Sequence, residues 1–322
     1  MVSKVLITGS IGFVGAASAS LALKYPDEVA SGKLFFVTVP DITAAGAFDE
    51  AVKGVEYVLH IASPAGGDFQ DNEQGYLIPA RDGTLSLLDS VNGHAKDTIK
   101  QVILMGSFVS IFDKPQFVLT GDTVYDETYW CPNTWEQAIK KDAFYAYITS
   151  KIVAEKAAWN FMEKVKPGFA LTVLNPPFVF GPMYQDVTAK TVNSSNSILQ
   201  GLNKTLENPF PANSSIQVDV RDFAGAMIAA INNLKAFDER IIIAGSYVSF
   251  RSIIKTCKRF KEEGECYASG PDDSDELLKK EIETGGVDLT KMRKVFPGFT
   301  FRSYKDTIID TIRQINQLEA SA

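Results

Sequence analysis

The run Val5-Leu6-Ile7-Thr8, followed without a break by Gly9-Ser10-Ile11-Gly12-Phe13-Val14-Gly15, most narrows what this chain can fold into. The apolar run reads as a short buried strand, and the glycine spacing after it demands a tight turn leading straight into a helix. Each glycine has its own physical reason. Gly9 permits the turn, Gly12 lets backbone approach a pyrophosphate, and Gly15 lets helix lie against strand. The helix N-terminus then offers unpaired amides and a positive dipole end to phosphate.

The pattern continues through the first half. Leu34 to Val39, Val55 to Ile61, Gln101 to Met105 and Ala170 to Leu174 read as further buried strands. Helical candidates lie at Ala44 to Lys53, Tyr76 to Val91 and Ala143 to Val165, the last ended by Lys166-Pro167-Gly168. Such alternation predicts an α/β fold, a Rossmann-type doubly wound parallel sheet with helices on both faces. Residues 182 to 216, rich in Asn, Ser and Pro, read as loops around a short helix near Ser195 to Thr205. A strand and an apolar-faced helix over Asp219 to Asn232 follow, and Ile241 to Ala244 returns to strand. The expected division is a dinucleotide-binding domain over residues 1–176 that also receives 217–245. A smaller C-terminal substrate lobe takes 177–216 and 246–322.

Composition removes several function classes. A net charge of −7 and a pI near 5.1 argue against nucleic-acid and anionic-membrane partners. No apolar run approaches the roughly 20 residues of a membrane span, and no signal-peptide pattern precedes the first strand. The three cysteines lack zinc-type spacing, and with two histidines in the chain a metal site or a histidine-based triad is not expected. A soluble cytoplasmic protein, monomer or homodimer, is the expectation. The acidic run from Asp272 to Glu276 reads as a solvated helix start.

One element is missing from the pattern. Only Gly9 to Lys33 separates the first strand from Leu34. A helix, a strand and a second helix with their connections normally take about 35 to 45 residues. No Val/Ile-rich run lies in "AASASLALKYPDEVASGK". The chain is expected either to carry a trimmed unit or to be joined across an omitted piece near Gly15 and Ala16. The second explanation is favoured, because losing a central strand beside the nucleotide would wreck the sheet.

Two further constellations carry chemistry. Tyr147 and Lys151 stand four apart in the long helix and therefore on one face. A phenol with pKa of about 10 is a poor proton shuttle at neutral pH. A neighbouring ammonium stabilises its anion, and roughly 3 kcal/mol of such interaction would bring the phenol near 8. Ser107 ends the strand "VILMGS" that precedes this helix, where a hydroxyl could hold a substrate carbonyl.

A glycine turn, a serine at a later strand end and then Tyr-x-x-x-Lys on the next long helix resembles the order used by short-chain dehydrogenase/reductases. In "TGSIGFVG", "PDITAAGAFDEAVKGVEYVLHIASP", "FYAYITSKIVAEKAAWNF", "LTVLNPPFVFGPM" and "VDVRDFAGAMIAA" the chain is similar to the extended branch of that superfamily. The likeness is to fungal ketoreductases of the methylglyoxal reductase/3-methylbutanal reductase type, relatives of dihydroflavonol reductase and cinnamoyl-CoA reductase.

The resemblance implies a carbonyl reductase that passes a hydride from NADPH to small ketones, aldehydes or diketones. Tyr147 would protonate the carbonyl oxygen, Ser107 would hydrogen-bond it, and Lys151 would hold the nicotinamide ribose. The cofactor would lie against Thr8, Gly9, Ser10, Gly12, Phe13, Val14 and Gly15, then Asp41 and Ile42, then Ala62, Ser63 and Pro64, with Pro176 and Val179 at the carboxamide. Phe112, Phe144, Phe178 and Tyr184 would line the carbonyl pocket. Asp82 stands where many relatives have Asn, which removes the usual proton relay, and His60 reads as a core histidine. Relatives meet the NADPH 2′-phosphate with an arginine, whereas Ala17-Ser18-Ala19-Ser20 has none and no arginine precedes Arg81. The acidic residue that would hold an NAD ribose is also missing, so NADPH rests on the likeness and NADH stays open. The alternatives are an NAD(P)-dependent epimerase/dehydratase of nucleotide sugars and a non-catalytic NADP-binding regulator.

Overall fold

A computed structural model describes residues 3–10, 12–15, 27, 31, 33–34, 36–63, 69–112, 119, 123–185, 187–207, 214–271 and 286–321. Strands β1 (Val5–Thr8), β2 (Tyr57–His60) and β3 (Gln101–Met105) are followed by the short β4 (Val124–Tyr125), then β5 (Ala170–Asn175), β6 (Phe178–Phe180), β7 (Ser214–Asp219), β8 (Arg240–Ile242), β9 (Ser246–Ser249) and β10 (Gly286–Val287). The central sheet has the order β1-β2-β3-β5-β8, every pair parallel. Parallel strands are covered on both faces, which is why β2, β3 and β5 are mostly apolar. Helix α1 (Ile78–His94) enters through a π-helical turn at Glu73–Leu77, and α2 (Trp135–Ala138) precedes the long α3 (Ala143–Val165). The architecture is of Rossmann type.

On one side of the sheet Phe48, Val52, Leu87, Val91, Val102, Leu171 and Phe161 form one core. On the other, Leu59, Ile103, Leu174 and Ile241 meet α5 (Val220–Ala230) and α8 (Thr290–Val295). A second sheet, β6-β7-β9, carries a separate core built from α4 (Ser194–Thr205), α6 (Phe250–Glu263) and α9 (Tyr304–Ala320), with the short α7 (Glu265–Ser269) following α6. The segment Asp219 to Asp222 ties α9 down: Arg221 donates to Asp219 (2.7 Å) and Asp310 (2.8 Å), and Thr307 donates to Asp219 (2.9 Å).

Two expected elements do not form. Residues 36–39 lie outside any strand, and Phe36 and Val37 are exposed. In the doubly wound order the third strand pairs with the second. Among the described residues no strand stands beside this segment to form a ladder. Residues 44–53 are successive turns rather than a helix. Gly46 sits at φ +74, outside helical space, although Phe48 and Val52 still reach the core. The acidic run and Ala16, the far side of the expected join, fall outside the described residues.

Candidate active site

The turn after β1 is built as its glycines demand. Gly9 sits at φ +70 and its carbonyl accepts from the Gly12 amide at 3.0 Å. A Cβ on Gly9 would stand 2.7 Å from the Ala62 amide nitrogen, and one on Gly15 would stand 2.0 Å from the Gly9 carbonyl oxygen. Gly12 differs. Among the described residues a Cβ there would meet only the Gly9 carbonyl, at 3.4 Å, so none of them requires a glycine at this exposed position. The open side of Gly12 is what a bound pyrophosphate would need, and this cradle fits a dinucleotide.

Thr8 joins the turn to the end of β2. Its Oγ1 lies 2.8 Å from His60 Nδ1 and accepts from the amides of Ile61 and Ala62, both at 3.1 Å. His60 is buried, edge-on to Phe48, and serves as the core histidine its sequence suggests. Burial, and then the Lys151 charge, lower its pKa to about 4.

Lys151 donates to Ser63 Oγ at 2.7 Å, and its Nζ stands 5.5 Å above the Tyr147 ring. Four residues apart on α3, the two form a pair, and the lysine also reaches the loop after β2. Burial lowers the ammonium to about 8 and raises the Tyr147 phenol above its ordinary value. The Tyr147 hydroxyl has no hydrogen-bond partner among the described residues. Ser107 caps the single-turn helix Phe108–Ser110, which packs on α3, and its Oγ accepts from the Val109 amide at 3.4 Å. The serine hydroxyl hydrogen is thereby left for another acceptor.

The other expected positions divide. Asp41 is exposed and folds back on Thr43, which donates through its amide (2.8 Å) and hydroxyl (2.7 Å). Ile42 leans on Gly83 of α1, where a Cβ would come within 2.9 Å of it. Pro176 is buried and its carbonyl accepts from Phe108 (2.8 Å), while Val179 is in the core. Pro64 lies outside the described residues. Among the pocket candidates, Phe144 and Tyr184 are exposed and Phe178 stacks on Phe180. Phe112 is buried, its ring stacked on Phe108 and edge-on to Tyr125. Asp82, in the place of the usual Asn, binds Arg81 at 2.6 Å.

Sequence reasoning missed a buried polar cluster under Ser107. Glu155 on α3, Arg240 on β8, Asn175 at the end of β5 and Ser110 meet there. The available signal was a carboxylate one turn past Lys151 on a helix face that packs inward.

The sequence profile of the NAD dependent epimerase/dehydratase family matches residues 5–245. The chain belongs to that family. It is 33% identical over 295 residues to a putative NADPH-dependent methylglyoxal reductase of Candida albicans, covering 89% of this chain and 84% of that one. It is 30% identical over 353 residues to the NADPH-dependent methylglyoxal reductase of Saccharomyces cerevisiae, with 98% of each chain covered. That alignment is longer than the chain's 322 residues, so the yeast protein carries segments that have no counterpart here. The structure matches the crystal structure of a yeast methylglyoxal/isovaleraldehyde reductase complexed with NADPH. The TM-score is 0.80 at 28% identity, over 99% of this chain and 100% of that one. The extended short-chain dehydrogenase/reductase reading is correct.

Proposed function

We propose that this protein is an NADPH-dependent carbonyl reductase acting on small aldehydes, ketones or diketones. The observation that carries the reading is the Tyr147–Lys151 pair on α3, with Lys151 anchored to Ser63 beside the glycine turn. Relatives named as NADPH-dependent reductases and a matching fold whose crystal structure holds NADPH support it.

In this reading the turn from Thr8 to Gly15 takes the pyrophosphate, and Ala62 and Ser63 flank the path to the nicotinamide end. When bound, NADPH supplies the hydride. Ser107 donates a hydrogen bond to the substrate oxygen, where negative charge grows during reduction. Tyr147 is a neutral phenol at physiological pH because burial raises it, the state a proton donor needs. Its proton passes to the substrate oxygen as the alcohol forms. The phenolate left behind faces the Lys151 ammonium, which stabilises it until solvent returns the proton. Phe144, Phe178 and Tyr184 offer apolar surface to the substrate's carbon chain. An acidic chain with three cysteines suits a reducing cytoplasm.

The test is loss of reduced-nicotinamide absorbance with NADPH and NADH in parallel, against small dicarbonyls, aldehydes and nucleotide sugars, with the products identified by mass. Alcohols formed from carbonyls with NADPH support the reading. Turnover of nucleotide sugars alone would replace it with the epimerase alternative, and tight binding without turnover with the regulator.

A further inference from the structure

Beneath Ser107 lies an ionic cluster that the reaction just outlined does not use. The Glu155 side chain is 1% exposed and that of Arg240 7%. Glu155 Oε1 accepts from Arg240 Nε at 2.5 Å, and Oε2 accepts from Ser110 Oγ at 2.5 Å and from Asn175 Nδ2 at 3.0 Å. Arg240 also donates to the carbonyls of Glu127 (2.9 Å) and Tyr129 (2.6 Å) and to Ser110 Oγ (3.1 Å), its guanidinium lying 3.7 Å from the Trp130 ring centre. The cluster converges on one backbone group. The Ser107 carbonyl accepts from Asn175 Nδ2 at 3.1 Å and from the Ser110 amide at 3.0 Å, and lies 2.8 Å from the Ser110 hydroxyl, whose single hydrogen it shares with Glu155. Gly106 makes room for this: a Cβ there would stand 2.6 Å from Asn175 Nδ2.

A buried ion pair is a poor source of stability, because apolar residues of similar volume often do as well. What it supplies here is geometry. Ser107 sits at the end of β3, Tyr147 and Lys151 sit on α3, and Glu155 is rooted in the same helix one turn beyond Lys151. Through Ser110 and Asn175 the carboxylate couples the position of that helix to the Ser107 backbone, while Arg240 fixes the carboxylate from β8.

We propose that Glu155 and Arg240 are positioning residues that hold Ser107 in register with Tyr147. This rests on the reading that Ser107 contacts the reacting carbonyl. Misplacement of a reacting group by about 1 Å costs roughly 100-fold in rate, so the device acts on kcat and leaves binding alone.

The experiment is a double-mutant cycle, with kcat and KM measured on methylglyoxal and NADPH affinity taken by fluorescence titration. The variants are Glu155→Gln and Ser110→Ala, each made in the parent and in Ser107→Ala. Ser110→Ala removes one hydroxyl and no charge, so it carries the test if Glu155→Gln does not fold. The expected result is a fall in kcat of roughly 10- to 100-fold, with KM and NADPH affinity within twofold of the parent. In the Ser107→Ala background the same change should cost less than threefold, since the group it positions is gone. Equal losses in both backgrounds, or a lowered unfolding temperature with kcat intact, would overturn the proposal and leave the cluster as core structure. If Ser107→Ala itself keeps parental kcat, the assignment of Ser107 fails and takes the inference with it. That outcome is read from the single variant alone.

Discussion

Replacing Gly15 by alanine should damage fold and nucleotide binding together, whereas the same change at Gly12 should damage binding alone. At Gly15 the new Cβ would lie 2.0 Å from the Gly9 carbonyl oxygen, 2.7 Å from its carbon and 3.0 Å from Ser10 Cα, all backbone. Normal contact begins near 3.5 Å, so the turn must retreat by more than about 1 Å. Gly9 has little room to give way on its Cβ side, where an added Cβ would already stand 2.7 Å from the Ala62 amide nitrogen. Overpacking of this kind costs about 1–3 kcal/mol, offset by roughly 1 kcal/mol of helix propensity gained on losing a glycine. A net loss of up to about 2 kcal/mol of stability follows. Displaced amides also forfeit charge-assisted bonds to phosphate worth about 1.5–3 kcal/mol, or roughly 10- to 150-fold in NADPH affinity. At Gly12 the Cβ meets one atom among the described residues, the Gly9 carbonyl oxygen at 3.4 Å. Thermal unfolding without nucleotide, paired with an NADPH fluorescence titration, separates the two. Gly15→Ala protein that unfolds at the parental temperature and binds NADPH within twofold of the parent would refute the argument.

Three further outcomes follow from burial. His60 titrates at about 4 against an ordinary 6.5, so the unfolded chain binds its proton first as the pH falls. Stability should therefore drop between pH 6.5 and 4, by about 3 kcal/mol from this group. Urea unfolding of the parent beside His60→Gln checks this, and an identical pH dependence in both would contradict it. Lys151, lowered to about 8 by burial, loses its charge as the pH rises past that point. The value of kcat/KM for NADPH, which reports the free enzyme, should fall above about pH 8, and Lys151→Arg should move that limb upward. Cys131 and Cys257 are buried, with the Cys257 thiol pushed up to about 12, while Cys266 is exposed. Maleimide should label one thiol in the native protein and three after unfolding, and native labelling of Cys257 would count against the core as described.

Much of the fold could be read from the residues because a parallel sheet buries both faces of its strands. Tyr57–His60, Gln101–Met105 and Ala170–Asn175 announce themselves as apolar runs, and Asp142 and Lys166 bracket α3 as an N-cap and a left-handed C-cap. Local composition fails where the outcome depends on a partner or on one dihedral. Residues 36–39 are rich in strand formers yet join no ladder, and the spacing in Ala44 to Lys53 suits a helix until Gly46 turns left-handed. The site divides in the same way. Lys151 and Ser63 were both expected at the cofactor, and the structure joins them. For Phe112 local sequence is silent, because whether an aromatic ring faces a pocket or the core is decided by neighbours such as Tyr125, outside its own segment. The Glu155–Arg240 pair spans 85 positions, and no local pattern connects its members.

In the proposed reaction Tyr147 delivers the proton while NADPH delivers the hydride. This is tested most directly by a single-turnover measurement in which NADPH bound to Tyr147→Phe protein is mixed with a small dicarbonyl and its absorbance followed. The account predicts parental NADPH affinity with hydride transfer slowed by about 10²- to 10⁴-fold, the usual contribution of a positioned acid. Transfer at the parental rate in the variant would contradict it.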